Sequence, residues 1–385
     1  MDSPFIYNKF VTGKNFIGRR GDCTILGNMI SQGEHVSLYE PPRSGKTSLI
    51  QQTLFSLRMS GRNFTVGQFS VLNIRTVEEF LVRYGSTVIR MVASTPAEYA
   101  RTVAQYLEGT HFVFDEKEFA DRDVLLSPSW ELDDEDVKAV LRLPFRLSAD
   151  KGTRLVLIID EFQNVVETED GDRILRPLDA VMKEEADAGR KNFSMVLSGS
   201  RVNAMKAIFE RGLLFHRRVT RVRLSDVDER EIADHVAKGF LSSGKVIEKN
   251  LLAGACKLFR NHFWYINHFA AICDSMTKGF IMEPVLVEAL NTLVSIHEPR
   301  FRAVMNGLTT HQVNLLRATV DGYVRFSASE VIRAYSLNSS ANVNRVKDAL
   351  MKKEILTFDE EDKPSFLDPL FEYWVKKYFF EVKEA

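Results

Sequence analysis

The strongest chemical signal in the sequence is Glu40-Pro41-Pro42-Arg43-Ser44-Gly45-Lys46-Thr47. Apart from its first residue, this run matches the pattern GxxxxGKT. A short strand ahead of it and a helix behind it would turn consecutive backbone N–H groups toward one point. The helix dipole favours an anion at that point, and a polyphosphate fits it. Pro42, Arg43, Ser44, Gly45, Lys46, Thr47 and Ser48 are the expected contacts. Lys46 reaches the β and γ phosphates as a mobile positive charge, and the Thr47 hydroxyl ligates Mg²⁺. Glu40 departs from the pattern: glycine there eases the turn, and a carboxylate beside phosphate repels it. The amides of residues 44–47 are retained, and Arg43 is near enough in sequence to neutralise Glu40.

A second run, Leu155-Val156-Leu157-Ile158-Ile159-Asp160-Glu161, delivers two carboxylates to the end of an apolar strand. The C-terminal ends of strands are where open α/β sheets bind ligands. Neighbouring strand side chains point to opposite sides, so the two acids take different tasks. Asp160 is expected to hold Mg²⁺, and Glu161 to orient and polarise an attacking water. Alone, such a pair could equally cap a helix; beside Lys46 and Thr47 the catalytic reading is preferred.

Those side chains need a scaffold, and the hydrophobic pattern supplies one. Val36, Leu38 and Tyr39 read as a strand, and the spacing of Leu49, Ile50, Leu54 and Leu57 predicts a helix over 47–59, stopped at Gly61. Further strands are expected at 155–159, 195–197 and 219–224. Strands separated by helical stretches predict an α/β fold with a parallel sheet covered on both faces. After residue 224 the pattern turns helical, at 226–239 and 250–259, with no convincing strand before about Arg300. Near the end, Thr309 with Gln312 and Ser327 with Glu330 fit capping boxes, and a third helix opens near Ser339. Stretches 355–358 and 365–367 then flank a polar turn, so three helices and a hairpin predict a winged helix. The expected division is a core carrying the phosphate loop over 1–224, a helical lid over 225–298 and a winged helix over 299–385.

Composition narrows the field. An apolar share of 45% with 27% charged residues is that of a globular chain. No run approaches the roughly 18 apolar residues of a membrane span, and the first 20 residues lack the apolar core of a secretory signal. A cytoplasmic protein without membrane partners is expected. Cys23, Cys256 and Cys273 have neither disulfide-framework nor zinc spacing. His262 and His268, six apart, offer no third metal ligand, and the acids 131–136 lack the glycine of a calcium loop and read as a helix start. The net charge of −1 gives no whole-chain basic field for nucleic acid.

The order strand, phosphate loop, helix, acidic strand end and winged helix resembles AAA+ ATPases of the signal-transducing STAND type, close to the archaeal ATPase family also found in bacteria. The resemblance implies ATP or ADP with Mg²⁺ as ligands, slow ATP hydrolysis, and a nucleotide-controlled switch whose winged helix folds back on the ATPase. Phe16-Ile17-Gly18-Arg19 is similar to the family's FxGR segment, which implies that Phe16, Gly18 and Arg19 lie near the adenine. Ser198-Gly199-Ser200 stands where relatives carry a sensor residue, with Ser200 preferred; a plain turn residue is the alternative. Phe215-His216-Arg217-Arg218 resembles a stretch whose arginine approaches the γ-phosphate. Arg217 is the nearest match, although Arg211, Arg218, Arg221 and Arg223 crowd the same region. His262-Phe263-Trp264-Tyr265 resembles a nucleotide-touching stretch with Phe263 in place of proline, and core packing is expected of Trp264.

Two alternatives stand beside the switch. One is a nucleotide-binding scaffold without hydrolysis, and the other is an ATP-modulated DNA-binding regulator. Arg345, Lys347, Lys352 and Lys353 could face DNA, but Asp359, Glu360, Glu361 and Asp362 at the wing tip would meet phosphates with like charge. Residues 299–385 carry 13 Lys and Arg against 12 Asp and Glu, so DNA is disfavoured and a protein partner or self-association through the winged helix is preferred.

Overall fold

The computed structural model describes residues 3–212 and 214–382. In chain order the elements are α1 (Arg20–Gln32), β1 (His35–Tyr39), α2 (Lys46–Met59), β2 (Thr65–Ser70), α3 (Val77–Arg90), α4 (Pro96–Tyr106), β3 (Phe112–Val113), α5 (Glu116–Arg122), β4 (Ser127–Pro128), α6 (Asp134–Lys151), β5 (Leu155–Asp160), α7 (Asp172–Asp187), β6 (Phe193–Gly199), α8 (Val202–Phe209) and β7 (Val219–Val222). They continue with α9 (Glu229–Ser242), β8 (Val246–Ile247), α10 (Lys249–Leu258), α11 (Phe263–Met276), β9 (Phe280–Ile281), α12 (Glu283–Asn306), α13 (Thr310–Val320), α14 (Ser329–Ala334), α15 (Ser340–Lys352), β10 (Leu356–Phe358), β11 (Pro364–Phe366) and α16 (Pro369–Trp374).

Contacts divide the chain into two units. One comprises Arg20–Glu40 and Leu49–Leu224, and the other Met1–Arg19, Pro41–Ser48 and Ser225–Ala385. The first unit is built on a five-stranded, wholly parallel sheet in the order β2-β5-β6-β1-β7. Every residue of β6 is buried, as are 155–159 of β5, so both faces of the central strands are covered. Helices enter with local caps. Thr76, Thr95 and Asp133 each close a reciprocal capping box with the residue three further on. The acids 131–136 do begin a helix, with Asp133 as the N-cap of α6.

The second unit has one continuous apolar core, running from Phe5 through Val236, Phe269 and Leu293 to Leu350 and Trp374. α12 passes without a break through residue 299. Helices α13, α14 and α15 with the β10–β11 hairpin form the winged helix. Thr309 and Gln312 make the expected capping box and Ser339 caps α15, accepting from the Asn342 N–H. The Ser327 and Glu330 box does not form. The helix starts one residue later, at Ser329, with Ala328 at the N-cap, so Ser327 stands too far out to accept from Glu330. The helical lid region also holds a strand pair, β8 with β9, of two residues each, too short to leave a periodic signal.

Candidate functional site

β1 ends at Tyr39, and after Glu40 the chain enters the loop that leads into α2. Two residues of that loop take positive φ, Arg43 at 66° and Gly45 at 99°. The value at Gly45 lies beyond the left-handed helical region that other residues tolerate. A side chain there would also collide, since a Cβ would stand 2.9 Å from Arg19 Nη1. Arg19 itself clamps the loop. Its Nη1 donates to the Ser44 carbonyl at 2.6 Å and its Nε to the Ser225 carbonyl at 2.8 Å.

Lys46 is the first residue of α2, with its side chain mostly buried and its Nζ donating to the Pro41 carbonyl at 3.0 Å. Thr47 is exposed on the first turn, which carries no acidic residue. The helix N-terminus therefore keeps its positive end uncompensated, the condition for anion binding. The Ser44 hydroxyl is buried within the loop without a hydrogen-bond partner among the described residues, an orphaned donor of the kind a phosphate oxygen satisfies. Ser48 serves the architecture, its Oγ accepting from the Val11 N–H at 3.1 Å.

Beside the loop lies a cleft of about 590 Å³, lined by residues 7–10, Arg43, residues 45–48, Trp264, His268, Ile296 and His297. One wall is aromatic. Tyr7 stacks on His268 with centroids 4.2 Å apart, Trp264 meets His268 edge-on at 5.2 Å, and the Trp264 Nε1–H donates to the Tyr7 carbonyl at 2.5 Å. The Arg43 guanidinium lies 4.0 Å from the Trp264 ring centroid, a cation–π contact. Burial pushes both His268 and His297 down to about 4, so the rings stay neutral near pH 7, and His268 Nδ1 and His297 Nε2 lack hydrogen-bond partners among the described residues. Trp264 is thus a half-buried cleft residue as well as part of the packing. Phe16 and Gly18 lie outside this lining: Gly18 packs so tightly that a Cβ would sit 2.8 Å from Val227 Cγ1.

The carboxylates occupy the other unit. Asp160 ends β5 and accepts from the Ser198 hydroxyl and from the Glu161 N–H at 3.0 Å. Glu161 takes φ of 52°, which swings its side chain out of the strand alternation. Its Oε2 accepts from Ser200 Oγ at 2.7 Å and from Gln163 Nε2. Gly199 makes room for this cluster: a Cβ would stand 2.4 Å from Gln163 Oε1. The structure thus brings Ser200, the preferred residue of the 198–200 stretch, to Glu161; it places Ser198 of the same stretch against Asp160 and adds Gln163, to which sequence reasoning gave no role. Ser198 sits inside β6, one residue beyond the three apolar positions that marked the strand.

Glu40 has Arg221 as its ion partner at 3.9 Å, and not Arg43 as sequence proximity suggested, because Arg43 is engaged by Trp264. Arg221 also pairs with Glu210 and lies 4.2 Å from the Tyr39 ring centroid. Arg218 holds Asp179 through two bonds of 2.7 Å. Arg217 lies on a turn before β7 with φ of 61°, exposed, and among the described residues no hydrogen bond or ion pair engages it.

A family model described as a probable winged helix domain matches residues 299–377. The sequence matches none of the curated proteins compared with it. Among solved structures, a Walker-type ATPase of Pyrococcus abyssi superposes with a TM-score of 0.67 at 14% identity, over 97% of this chain and 99% of that one. The ORC2 protein of Aeropyrum pernix, in its ADPNP-ADP complexes, gives 0.55 at 13% identity, over 95% and 93%; its ADP form gives 0.52 at 14% identity, over 94% and 92%. The chain therefore shares the fold of these solved structures, an α/β architecture with a parallel sheet and a C-terminal winged helix. No described helix is long and apolar enough to cross a membrane.

Proposed function

We propose that this chain binds Mg-ATP and hydrolyses it slowly, and that the bound nucleotide sets the state of the winged helix. The observation that carries the reading is the loop ending at Lys46. It has two positive-φ residues, an orphaned Ser44 hydroxyl and a helix N-terminus with no acidic residue in its first turn, all in one stretch. The fold is that of ORC2, whose structure was solved with ADPNP and ADP. Lys46 neutralises the β and γ phosphates, and the neutral wall of Tyr7, Trp264 and His268 offers stacking faces for the base. The hydroxyl of Thr47 and the carboxylate of Asp160 are hard oxygen donors and suit Mg²⁺, which supplies charge neutralisation on the phosphates. Glu161, oriented by Ser200 and Gln163, receives the proton of the attacking water. Arg217 is assigned to the developing charge on the γ-phosphate.

The switch rests on neighbouring residues of α11. Trp264 engages Arg43 of the loop, while Tyr265 donates to Asp368, 2.9 Å from Oδ1, at the start of α16. Arg300 donates to the same carboxylate at 2.6 Å. A change at the loop thus has a short route to the winged helix. A role for that domain in binding a protein partner, or a second copy, is favoured over DNA, since Lys347 of the third helix is engaged by Asp362 of the wing. The test pairs phosphate release with binding. Lys46→Ala should lose nucleotide binding, and Glu161→Gln should bind normally but stop turning over. Full turnover in Glu161→Gln would remove the assigned base. Identical small-angle scattering profiles with ADP and with a non-hydrolysable analogue would remove the switch.

A further inference from the structure

A groove of about 940 Å³ runs along β2, lined by residues 66–70 of that strand, by α3 and by residues 122–124. β2 is an edge strand, paired only with β5. Natural edges are usually blunted by charge, proline or a bulge, because unpaired backbone groups template another strand. β2 reads Thr-Val-Gly-Gln-Phe-Ser over six residues, with neither charge nor proline. The Thr65 N–H donates to the Arg154 carbonyl and the Val71 N–H to the Asp160 carbonyl, both at 2.9 Å. Odd-numbered residues therefore face β5. Backbone groups alternate sides along a strand, so the N–H and C=O of Val66, Gln68 and Ser70 face the groove. Among the described residues no hydrogen bond engages them.

Glycine shapes the floor. A Cβ at Gly67 would stand 2.7 Å from Met91 Sδ and 2.9 Å from Thr87 Cγ2, so the end of α3 approaches the strand closely there. Leu72 at the groove end is 55% exposed, an apolar seat for a side chain. The charge is one-sided in its availability. Glu79 is committed to the capping box of α3, and Asp123 to Arg90 at 2.7 Å. Arg83 and Arg122 are exposed and have no ion pair among the described residues.

We propose that the outer edge of β2 docks an extended, acidic peptide segment of a partner protein, which adds to the sheet as a sixth strand. Main-chain bonds to Val66, Gln68 and Ser70 supply the affinity, and Arg83 and Arg122 select acidic side chains. A second copy pairing through the same edge is disfavoured, because two grooves would bring their free arginines together.

The probe is a fluorescein-labelled ten-residue peptide alternating valine with aspartate, read by anisotropy against the full chain. It should bind, and its counterpart with lysine for aspartate should not. Gln68→Pro removes one outward N–H without touching those donated to β5, a place where edge strands tolerate proline. That variant and Arg83→Glu/Arg122→Glu should each weaken the acidic peptide at least tenfold while leaving Mg-ATP binding unchanged, which separates this site from the nucleotide reading. Should Gln68→Pro fail to fold, the double arginine variant decides. The proposal is overturned by no binding at millimolar peptide, by equal affinity for wild type and the arginine variant, or by equal binding of the lysine peptide. It is also overturned if a random oligonucleotide displaces the peptide, or if sedimentation shows a dimer that Gln68→Pro dissolves.

Discussion

Gly45→Ala gives the sharpest reading of the phosphate loop. The φ of 99° at this position costs a side-chain-bearing residue about 1–2 kcal/mol. The new Cβ would stand 2.9 Å from Arg19 Nη1, so the guanidinium must withdraw and its 2.6 Å bond to the Ser44 carbonyl is lost. A hydrogen bond to a charged group contributes about 1.5–3 kcal/mol. Together these amount to roughly 2.5–5 kcal/mol, an upper figure because both groups are partly solvated. The loop can relieve most of that strain by relaxing when free, but it must recover its conformation to hold phosphate. The loss should therefore fall on nucleotide affinity, about 100-fold or more at 1.4 kcal/mol per factor of ten, with little change in melting temperature. Arg19→Ala loses the clamp without the backbone strain and should weaken affinity by about 10- to 100-fold. Calorimetric titration with Mg-ATP beside a thermal melt measures both. Affinity within threefold of wild type in Gly45→Ala would refute the argument that this conformation holds the ligand.

Other outcomes follow from the same geometry. Ser200→Ala removes one donor from Glu161 and should lower turnover about tenfold or more with affinity unchanged, measured by steady-state phosphate release against calorimetry. His35, His262, His268 and His297 are all pushed down to about 4 by burial. Between pH 6.5 and 4 the unfolded chain binds protons that the folded chain refuses, so stability is full above pH 6.5 and declines as pH falls through that window. Each ring contributes at most roughly 3 kcal/mol, and denaturant melts at pH 7.5 and 5 should show the decline, whereas a flat profile would contradict the burial argument. Asp368→Ala cuts the bonds from Tyr265 and Arg300 and should lower the melting temperature by several degrees; conversion of those bonds into a signal would appear as a lost scattering difference between ADP and ATP-analogue states.

The parts legible in the sequence were those whose physics is local. The loop before α2 and the carboxylates after β5 announce themselves because a strand, a turn and a helix must follow one another at fixed spacing. Thr309 and Ser339 announced helix starts because capping is a three-residue matter. β2 was not legible: Gly67 and Gln68 interrupt the apolar pattern of a half-exposed edge strand. The aromatic wall was not legible either, since Tyr7, the Trp264 and His268 pair of α11, and His297 come from three distant parts of the chain that only tertiary packing brings together. Ser327 failed as a cap because the sequence fits two starts one residue apart, and the helix takes the later one, with Val331 buried. Arg43 was assigned to Glu40 on sequence proximity, but an indole face 4.0 Å away competes for the guanidinium and a different arginine takes the carboxylate.

The most direct measurement is titration of the purified chain with Mg-ATP in a calorimeter, alongside Lys46→Ala. Wild type should give a saturable heat and a raised melting temperature, and the variant neither. No heat and no shift from wild type at millimolar Mg-ATP would contradict the claim that residues 41–48 cradle a nucleotide's phosphates.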